Sequence, residues 1–151
     1  RAISWGGYDD GASSATNTIQ YVTITTTGNA KDFGDLIAAK QSGGACSSNT
    51  RGVFQCGSPA NNNVIQYITM ATLGNAADFG DATGTLAETG GTSNNIRGVF
   101  GGANDPASSP YRFNTIDYIT IGSTGNAADF GDLTTARSGA AAMGDAHGGL
   151  G

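Results

Sequence analysis

The chain has 151 residues, of which 25 are Gly and only 13% are charged, and its formal net charge at pH 7 is −5. This acidic balance leaves no basic surface for a phosphate backbone, so no nucleic-acid partner is expected. No apolar stretch approaches the roughly 20 residues of a membrane-spanning helix, so no membrane insertion is expected.

Short strands and turns are predicted from the start of the chain. Residues 1–7 predict a strand that ends in a Gly-Gly pair. The segment 19–24, Ile-Gln-Tyr-Val-Thr-Ile, is rich in β-branched and aromatic residues and predicts a second strand. Residues 27–29, Thr-Gly-Asn, predict a turn because Gly and Asn tolerate positive φ.

Two further strands complete this pattern. Residues 32–36 predict a short outer strand whose Phe33 and Leu36 side chains point inward. The segment 42–47 consists largely of small residues, as does its later counterpart 138–143. Flanking Gly residues and a length of about six residues favour a crowded strand over a helix at both places.

One motif occurs three times. Gly-Asn-Ala-x-Asp-Phe-Gly-Asp starts at Gly28, Gly74 and Gly125, at spacings of 46 and 51 residues. An Asn-x-Ile-x-Tyr strand precedes each copy, so nearly the whole chain is repetitive. We therefore expect a single repeat domain, 1–151, with repeats at roughly 1–50, 51–96 and 97–146 and a further strand starting in 147–151.

Two cysteines, Cys46 and Cys56, lie on either side of a predicted hairpin turn at 49–50. They are too few for a disulfide-built scaffold. Pairing across the turn places Cys46 opposite Val53 or Phe54, so both cysteines are predicted to be free thiols.

Four short strands in a unit of about 50 residues resemble the blade of a kelch β-propeller. The order of residues is similar: a basic residue and a small-residue strand (136–142), an aromatic strand ending in Gly-Gly (99–102), and a tyrosine strand (116–120). The resemblance implies an all-β fold of kelch-like β-propeller blades, whose three four-stranded repeats would make half of a six-bladed ring. A β-trefoil-like closure of the three repeats is the alternative. Phenylalanines that are predicted to lie in the blade core stand where kelch usually has Trp, at Phe33, Phe79 and Phe130.

The sequence of the repeat is also similar to that of repeat proteins encoded by marine bacteriophages. That resemblance implies a non-enzymatic structural or binding module of the virion, in a tail or fibre, that contacts a host surface or another virion protein. The expected location is then the virion or the extracellular space, and no cofactor is implied. A glycan-binding, lectin-like propeller and a polysaccharide-degrading propeller enzyme are the alternatives, and the even spread of acidic residues argues against the enzyme.

The two ends of the repeat array complement each other. The chain opens in a Gly-Gly strand and closes after a small-residue segment, so each end has the strand that the other lacks. Self-association or pairing with flanking repeats is therefore predicted, with a host-surface glycan or a virion protein as a further partner.

The repeated motif carries two aspartates in each copy. Calcium binds several carboxylate and carbonyl oxygens, which makes these residues candidates for a metal site. The structural alternative is that one aspartate of each pair accepts hydrogen bonds from backbone amides in its turn, while the other faces solvent or an arginine. The six candidates are Asp32, Asp35, Asp78, Asp81, Asp129 and Asp132.

Basic residues recur near the small-residue strands, at Lys40, Arg51, Arg97 and Arg137. They could line a channel that attracts an anionic sugar, or pair with the repeated aspartates, since a guanidinium fork fits a carboxylate. His147 is the only histidine, so a Ser-His-Asp triad would depend on it alone, and no catalytic residue is predicted.

The loop after the Gly-Gly strand differs most between repeats and is longest in the third copy. Loops vary more in sequence than the strands they connect, and they often carry binding residues, so this loop is the candidate for partner recognition. Its aromatic, basic and polar side chains suit sugar or protein surfaces, and a tolerated surface insertion is the alternative. The candidate residues are Asn104, Asp105, Tyr111 and Arg112.

Overall fold

The structure, a computed structural model, describes residues 1–55, 57–58, 63–105 and 109–144. Cys56, His147 and the strand predicted in 147–151 lie outside these ranges. The described residues form strands and no helix, which confirms the all-β prediction and means that they include no helix able to cross a membrane. The strands are β1 (Ala2–Trp5), β2 (Tyr8–Asp9), β3 (Ser14–Ala15), β4 (Thr18–Val22), β5 (Lys31–Asp35), β6 (Gly44–Ser47), β7 (Arg51–Gln55), β8 (Val64–Thr69), β9 (Ala77–Asp81), β10 (Gly90–Ser93), β11 (Arg97–Asn104), β12 (Arg112–Thr120) and β13 (Ala128–Asp132).

These strands pair antiparallel in four small sheets. Sheet 1 has the order β1-β4-β5, sheet 2 the order β6-β7-β8-β9 and sheet 3 the order β10-β11-β12-β13, while β2 and β3 form a separate hairpin. In sheets 2 and 3 the small-residue strand comes first, followed by the Arg-Gly strand, the tyrosine strand and the phenylalanine strand. The described sheets close into neither a barrel nor a propeller ring, so the kelch-like ring and the trefoil stay predictions.

Each four-stranded sheet combines parts of two sequence repeats. Its first strand, β6 or β10, lies before the repeat boundary predicted at residue 51 or 97, and its other three strands follow that boundary. Antiparallel neighbours need only short connections, so these sheets form as meanders that run from a small-residue strand to a phenylalanine strand.

The third small-residue segment differs from its prediction. The first copy contributes β6 and the second β10, but residues 138–143 belong to no strand. Strands β6 and β10 are hydrogen-bonded to β7 and β11, and the described chain has no corresponding neighbour for 138–143. A β-carbon on Gly90 would collide with the Ala140 carbonyl, so the segment packs against β10 without a sheet partner of its own.

The phenylalanine strand is bulged in every sheet. In sheet 1, Ile19 pairs with Gly34 and Gln20 pairs with Asp32, so Phe33 has no residue opposite it. The same register shift occurs in sheets 2 and 3. Gly34 has a φ of +146°, in the region that favours glycine. The bulge bends the strand and directs the Phe33 side chain towards the next sheet.

The core lies between successive sheets. Phe33 and Phe79 are buried as predicted, and each packs edge-to-face on the tyrosine of its own sheet, at centroid distances of 6.0 and 5.8 Å. We name the contact between sheets 1 and 2 junction 1, with the buried apolar residues Ile19, Phe33, Leu36, Phe54 and Ile68. The contact between sheets 2 and 3 is junction 2, with Cys46, Val53, Ile65, Phe79, Ala82, Leu86, Phe100, Ala103, Ile119 and Ile121.

Phe130 is the exception among the repeated phenylalanines. It is 52% exposed, so its predicted place in the blade core was wrong. It packs on Tyr118 at 6.0 Å, as its two counterparts pack on their tyrosines, but no further sheet covers it within the described ranges. The burial of this position therefore depends on a neighbouring sheet.

Replacing Phe79 by Ala is expected to lower the free energy of unfolding by about 3–5 kcal/mol, because it leaves a cavity in junction 2. Ile96→Ala is the control, since this apolar side chain is largely exposed, and it should change the free energy by about 0.5 kcal/mol or less. Urea denaturation followed by circular dichroism measures both, and equal losses would contradict the place of Phe79 in the core.

Candidate functional site

Successive sheets are joined by hydrogen bonds from the repeated Gly-Asn-Ala segment. At junction 1 the Gly74 amide donates to the Phe33 carbonyl at 2.9 Å. The Ala76 amide donates to the Asp35 carbonyl at 2.8 Å. The Asn75 side chain accepts from the Asp35 amide at 3.0 Å. The turn predicted at 27–29 lies a few residues earlier, at 24–26, with counterparts at 70–72 and 121–123, so its predicted place was wrong. The Gly-Asn-Ala segment that follows the turn makes the connection between the two sheets.

Junction 2 repeats these three bonds. The Gly125 amide donates to the Phe79 carbonyl at 2.7 Å. The Ala127 amide donates to the Asp81 carbonyl at 2.7 Å, and the Asn126 side chain accepts from the Asp81 amide at 3.1 Å. Because the same set occurs twice, the motif encodes a standard contact between one sheet and the next.

A glycine in each phenylalanine strand permits this contact. A β-carbon on Gly34 would collide with the backbone of Gly74, and one on Gly80 would collide with that of Gly125. Gly131, the third copy, has no described atom within 4 Å of that position. The close approach of two sheets therefore requires glycine at this place in the motif.

Two buried polar side chains bind the segments that link the sheets. The Gln66 Oε1 atom accepts from the Ile37 amide at 2.7 Å. Asp117, at the same place in sheet 3 and 1% exposed, accepts from the Thr83 amide at 3.2 Å and its hydroxyl at 2.6 Å. The Gln55 side-chain amide donates to the same carboxylate at 3.2 Å. Sequence reasoning missed these residues, although a polar side chain between Ile and Tyr in every copy of the strand marks the position.

Three of the six calcium candidates bind their own turn. Asp32, Asp78 and Asp129 each accept a hydrogen bond from the amide two residues later, at 3.1, 3.0 and 3.0 Å. Asp35 and Asp81 take part in the junctions through their backbone groups. No three His, Cys, Asp or Glu side chains within the described part of the chain form a metal-binding group. The backbone bond considered for one aspartate of each pair is thus observed, and calcium binding stays a prediction.

The arginines of the Arg-Gly strands lie over tyrosine rings. In the described part of the chain the guanidinium groups of Arg51 and Arg97 lie over these rings, and not beside the repeated aspartates with which they were expected to pair. The distances from guanidinium carbon to ring centroid are 4.9 Å for Arg1 and Tyr21, 4.7 Å for Arg51 and Tyr67, and 4.5 Å for Arg97 and Tyr118. Each sheet therefore carries an Arg–Tyr cation–π contact at the same place, and in sheet 3 Arg97 also lies 6.0 Å from the Phe130 ring centroid.

Lys40 and Arg137, the other recurring basic residues, have different surroundings. Lys40 is buried, and its Nζ atom lies 3.5 Å from the Gly57 carbonyl. Arg137 is exposed, and its Nε atom donates to the Thr135 carbonyl at 3.3 Å. The four basic residues singled out by sequence therefore do not share one environment.

A groove of about 250 Å³ lies beside β1, between sheets 1 and 2. Its walls include Ala2, Ile3 and Trp5 of β1 and Ala45 and Cys46 of β6. Among the described strands only β4 pairs with β1, whereas the equivalent edges of β7 and β11 are occupied by β6 and β10. This β1 groove thus lies along an unpaired strand edge.

The β11–β12 loop brings the four candidate partner residues together. Asn104 pairs with Arg112, and the Asp105 amide donates to the Tyr111 carbonyl at 3.0 Å. Asn104 is also tied to Ala87 by two backbone hydrogen bonds of 2.9 and 2.8 Å. Tyr111 is 62% exposed, and Arg112 is exposed as well. The loop therefore presents these two side chains from a fixed base.

Cys46 is a free thiol buried in junction 2. It pairs with Val53, as predicted. Burial raises the pKa of its thiol from 9.0 to about 12. A β-carbon on Gly98 would collide with the Cys46 sulfur, so the thiol fills the space between β6 and β11.

No protein-family model matches this chain, and no curated protein matches it either. The kelch and bacteriophage resemblances therefore rest on the repeated residues themselves.

Asp117→Ala is expected to lower the free energy of unfolding by about 2–4 kcal/mol, because it leaves the amide and hydroxyl of Thr83 and the buried side-chain amide of Gln55 without their acceptor. Asp117→Asn keeps an acceptor oxygen and should cost less. The surface substitution Asp10→Ala is the control, with an expected change of about 0.5 kcal/mol or less. Chemical denaturation compares the three variants, and an Asp117→Ala variant as stable as Asp10→Ala would refute the buried role.

At pH 8, Cys46 is expected to react with iodoacetamide at least roughly 100-fold more slowly in the folded chain than in urea, because alkylation requires the thiolate. Mass mapping of the peptide that contains Cys46 measures the rate separately from that of Cys56. The folded state also holds this proton more tightly than the unfolded chain, so the free energy of unfolding should fall as pH rises from 9.0 towards about 12. Cys46→Ala removes that part of the pH dependence, and equal labelling rates with and without urea would contradict the burial.

Proposed function

We propose that this chain is a non-enzymatic structural and binding module, in which a stack of repeated sheets holds a variable loop towards a partner. The observation that carries the proposal is the β11–β12 loop, where exposed Tyr111 and Arg112 project from a base anchored to Ala87. Tyrosine and arginine are the side chains that most often dominate the binding energy of protein interfaces.

The repeated polar residues support a scaffold role for the rest of the chain. Gln66 and Asp117 bind the segments between sheets, and Asn75 and Asn126 bind backbone amides at the junctions. Their hydrogen-bonding groups are used inside the protein, where they hold one sheet against the next.

The proposed setting is a bacteriophage virion, in a tail or fibre. Support comes from the similarity of the Gly-Asn-Ala-x-Asp-Phe-Gly-Asp repeat to repeat proteins of marine bacteriophages. In that setting the protein is part of the virion or extracellular, and its loop contacts a host surface or another virion protein.

A bacterial surface glycan is the partner class that the loop side chains favour. Tyr111 presents an amphipathic ring to solvent. Beside it, Arg112 of β12 and Asn104 of β11 lie opposite each other as a cross-strand pair. An aromatic ring packs on the apolar face of a sugar, while guanidinium and amide groups bond its hydroxyls. This second, narrower function is a lectin-like activity of the same loop.

Binding of the labelled chain to an array of bacterial lipopolysaccharides and capsular polysaccharides, and to intact marine bacterial cells, tests the proposal. We expect saturable binding that the double variant Tyr111→Ser, Arg112→Ala weakens at least about tenfold. Tyr8→Ser is the matched control, because Tyr8 is 58% exposed in the β2–β3 hairpin, and it should retain full binding.

Three results would count against the proposal. Equal binding by the double variant and the control would show that the loop does not contact the partner. Binding to neither the array nor the cells would overturn the host-surface partner. Release of shortened polysaccharide chains by the unmodified protein would show an enzyme.

A further inference from the structure

Sheet 3 carries one half of a junction that is not completed. Phe130 and Asp132 hold the positions of Phe33 and Asp35, whose backbone groups bond the Gly-Asn-Ala segment of the following sheet. Within the described ranges, the Phe130 carbonyl and the Asp132 amide and carbonyl bond no such segment. The space next to Gly131 is open, and the Phe130 ring is half exposed.

Sheet 1 carries the complementary half. Its segment 28–30, Gly-Asn-Ala, is the first copy of the segments that bond the preceding sheet at junctions 1 and 2, and its amides donate to no other described sheet. Gln20 holds the position of Gln66 but is exposed. The amide of Thr134 holds the position of the Ile37 amide, which donates to Gln66.

We propose that two copies of this chain join head to tail, with sheet 3 of each copy packed against sheet 1 of the other. The segment 28–30 of one copy then donates to the Phe130 and Asp132 carbonyls of the other, and Gln20 accepts from the Thr134 amide. A second copy fits each open face because the two faces are complementary. Every donor and acceptor that forms these hydrogen bonds at junctions 1 and 2 has a counterpart, either on the open face of sheet 1 or on that of sheet 3. Two such head-to-tail contacts close a ring of six sheets.

The β1 groove and the small-residue segment fit this arrangement. Residues 141–144 hold the repeat positions of β6 and β10, which pair with β7 and β11. In the pair of chains, residues 141–144 of one copy lie in the β1 groove of the other and pair with β1. Met143, which is almost fully exposed, then lies opposite Ile3, as Cys46 lies opposite Val53. This interface involves no residue of the β11–β12 loop and so goes beyond the proposed function.

One residue makes the new junction weaker than the two internal ones. Ser4 stands where sheets 2 and 3 place Phe54 and Phe100 into the junctions. The contact between copies therefore buries less apolar surface, and the association is reversible on dilution.

Sedimentation velocity and native mass spectrometry of the whole chain over a concentration series test the proposal. The expected mass is twice 15.1 kDa at high concentration, with dissociation to single chains on dilution. Phe130→Asp should raise the dissociation constant at least about 100-fold, since it places an unpaired charge in the junction. Ser4→Phe should lower it about tenfold or more, since it restores the aromatic side chain of the internal junctions.

Ile96→Asp is the matched control for the charge. Ile96 is exposed in the β10–β11 turn, and its counterpart Thr50 makes its hydrogen bonds within its own sheet. This variant should keep the dissociation constant of the unmodified chain, and circular dichroism verifies that all three variants are folded. A single-chain mass at every concentration, a pair unaffected by Phe130→Asp, a Ser4→Phe variant that binds no tighter, or a mass that grows beyond two copies would each overturn the proposal.

Discussion

The architecture depends on one close backbone contact, made where the glycine of a phenylalanine strand meets the Gly-Asn-Ala segment of the next sheet. At Gly34 and Gly80 this contact leaves no room for a side chain. The short distance brings the amides of that segment within hydrogen-bonding range of the strand carbonyls, and it sets the gap that Phe33 and Phe79 fill. A backbone distance thus decides which side chains the core accepts, because close-packed interiors tolerate little change in spacing.

Features that depend on a single sheet could be predicted from sequence. The strand order, the inward direction of Phe33 and Leu36 and the pairing of Cys46 with Val53 all follow from alternation and turn position. Burial against a neighbouring sheet could not be predicted in this way. Phe130 sits in the same motif as its counterparts but lacks a covering sheet in the described structure, and for the same reason the segment 138–143 lacks the strand partner that would have made it a strand.

The same distinction separates the residues of the candidate site that sequence could predict from those that it could not. The β11–β12 loop was found because it differs between repeats, and the structure brings its ends together through Asn104 and Arg112. Asp117 was missed because alternation in a strand normally turns a polar residue towards water, whereas here the side chain faces sheet 2 and is buried against Gln55 and Thr83. Arg51 and Arg97 were expected to pair with aspartates, because a guanidinium fork fits a carboxylate, or to line a channel, but each lies over the tyrosine ring of the neighbouring strand.

The packing of Cys46 over Gly98 has a consequence for the chemistry of the sulfur. Oxidation to a sulfenic acid adds an oxygen atom, and on the side of β11 the backbone at Gly98 leaves no space for one. An oxygen placed on that side would force sheets 2 and 3 apart at junction 2. Because burial leaves little thiolate at ordinary pH, it also slows this oxidation. Burial of Cys46 therefore has two effects: it makes oxidation of the sulfur slow, and it makes that oxidation disruptive to junction 2 when it occurs.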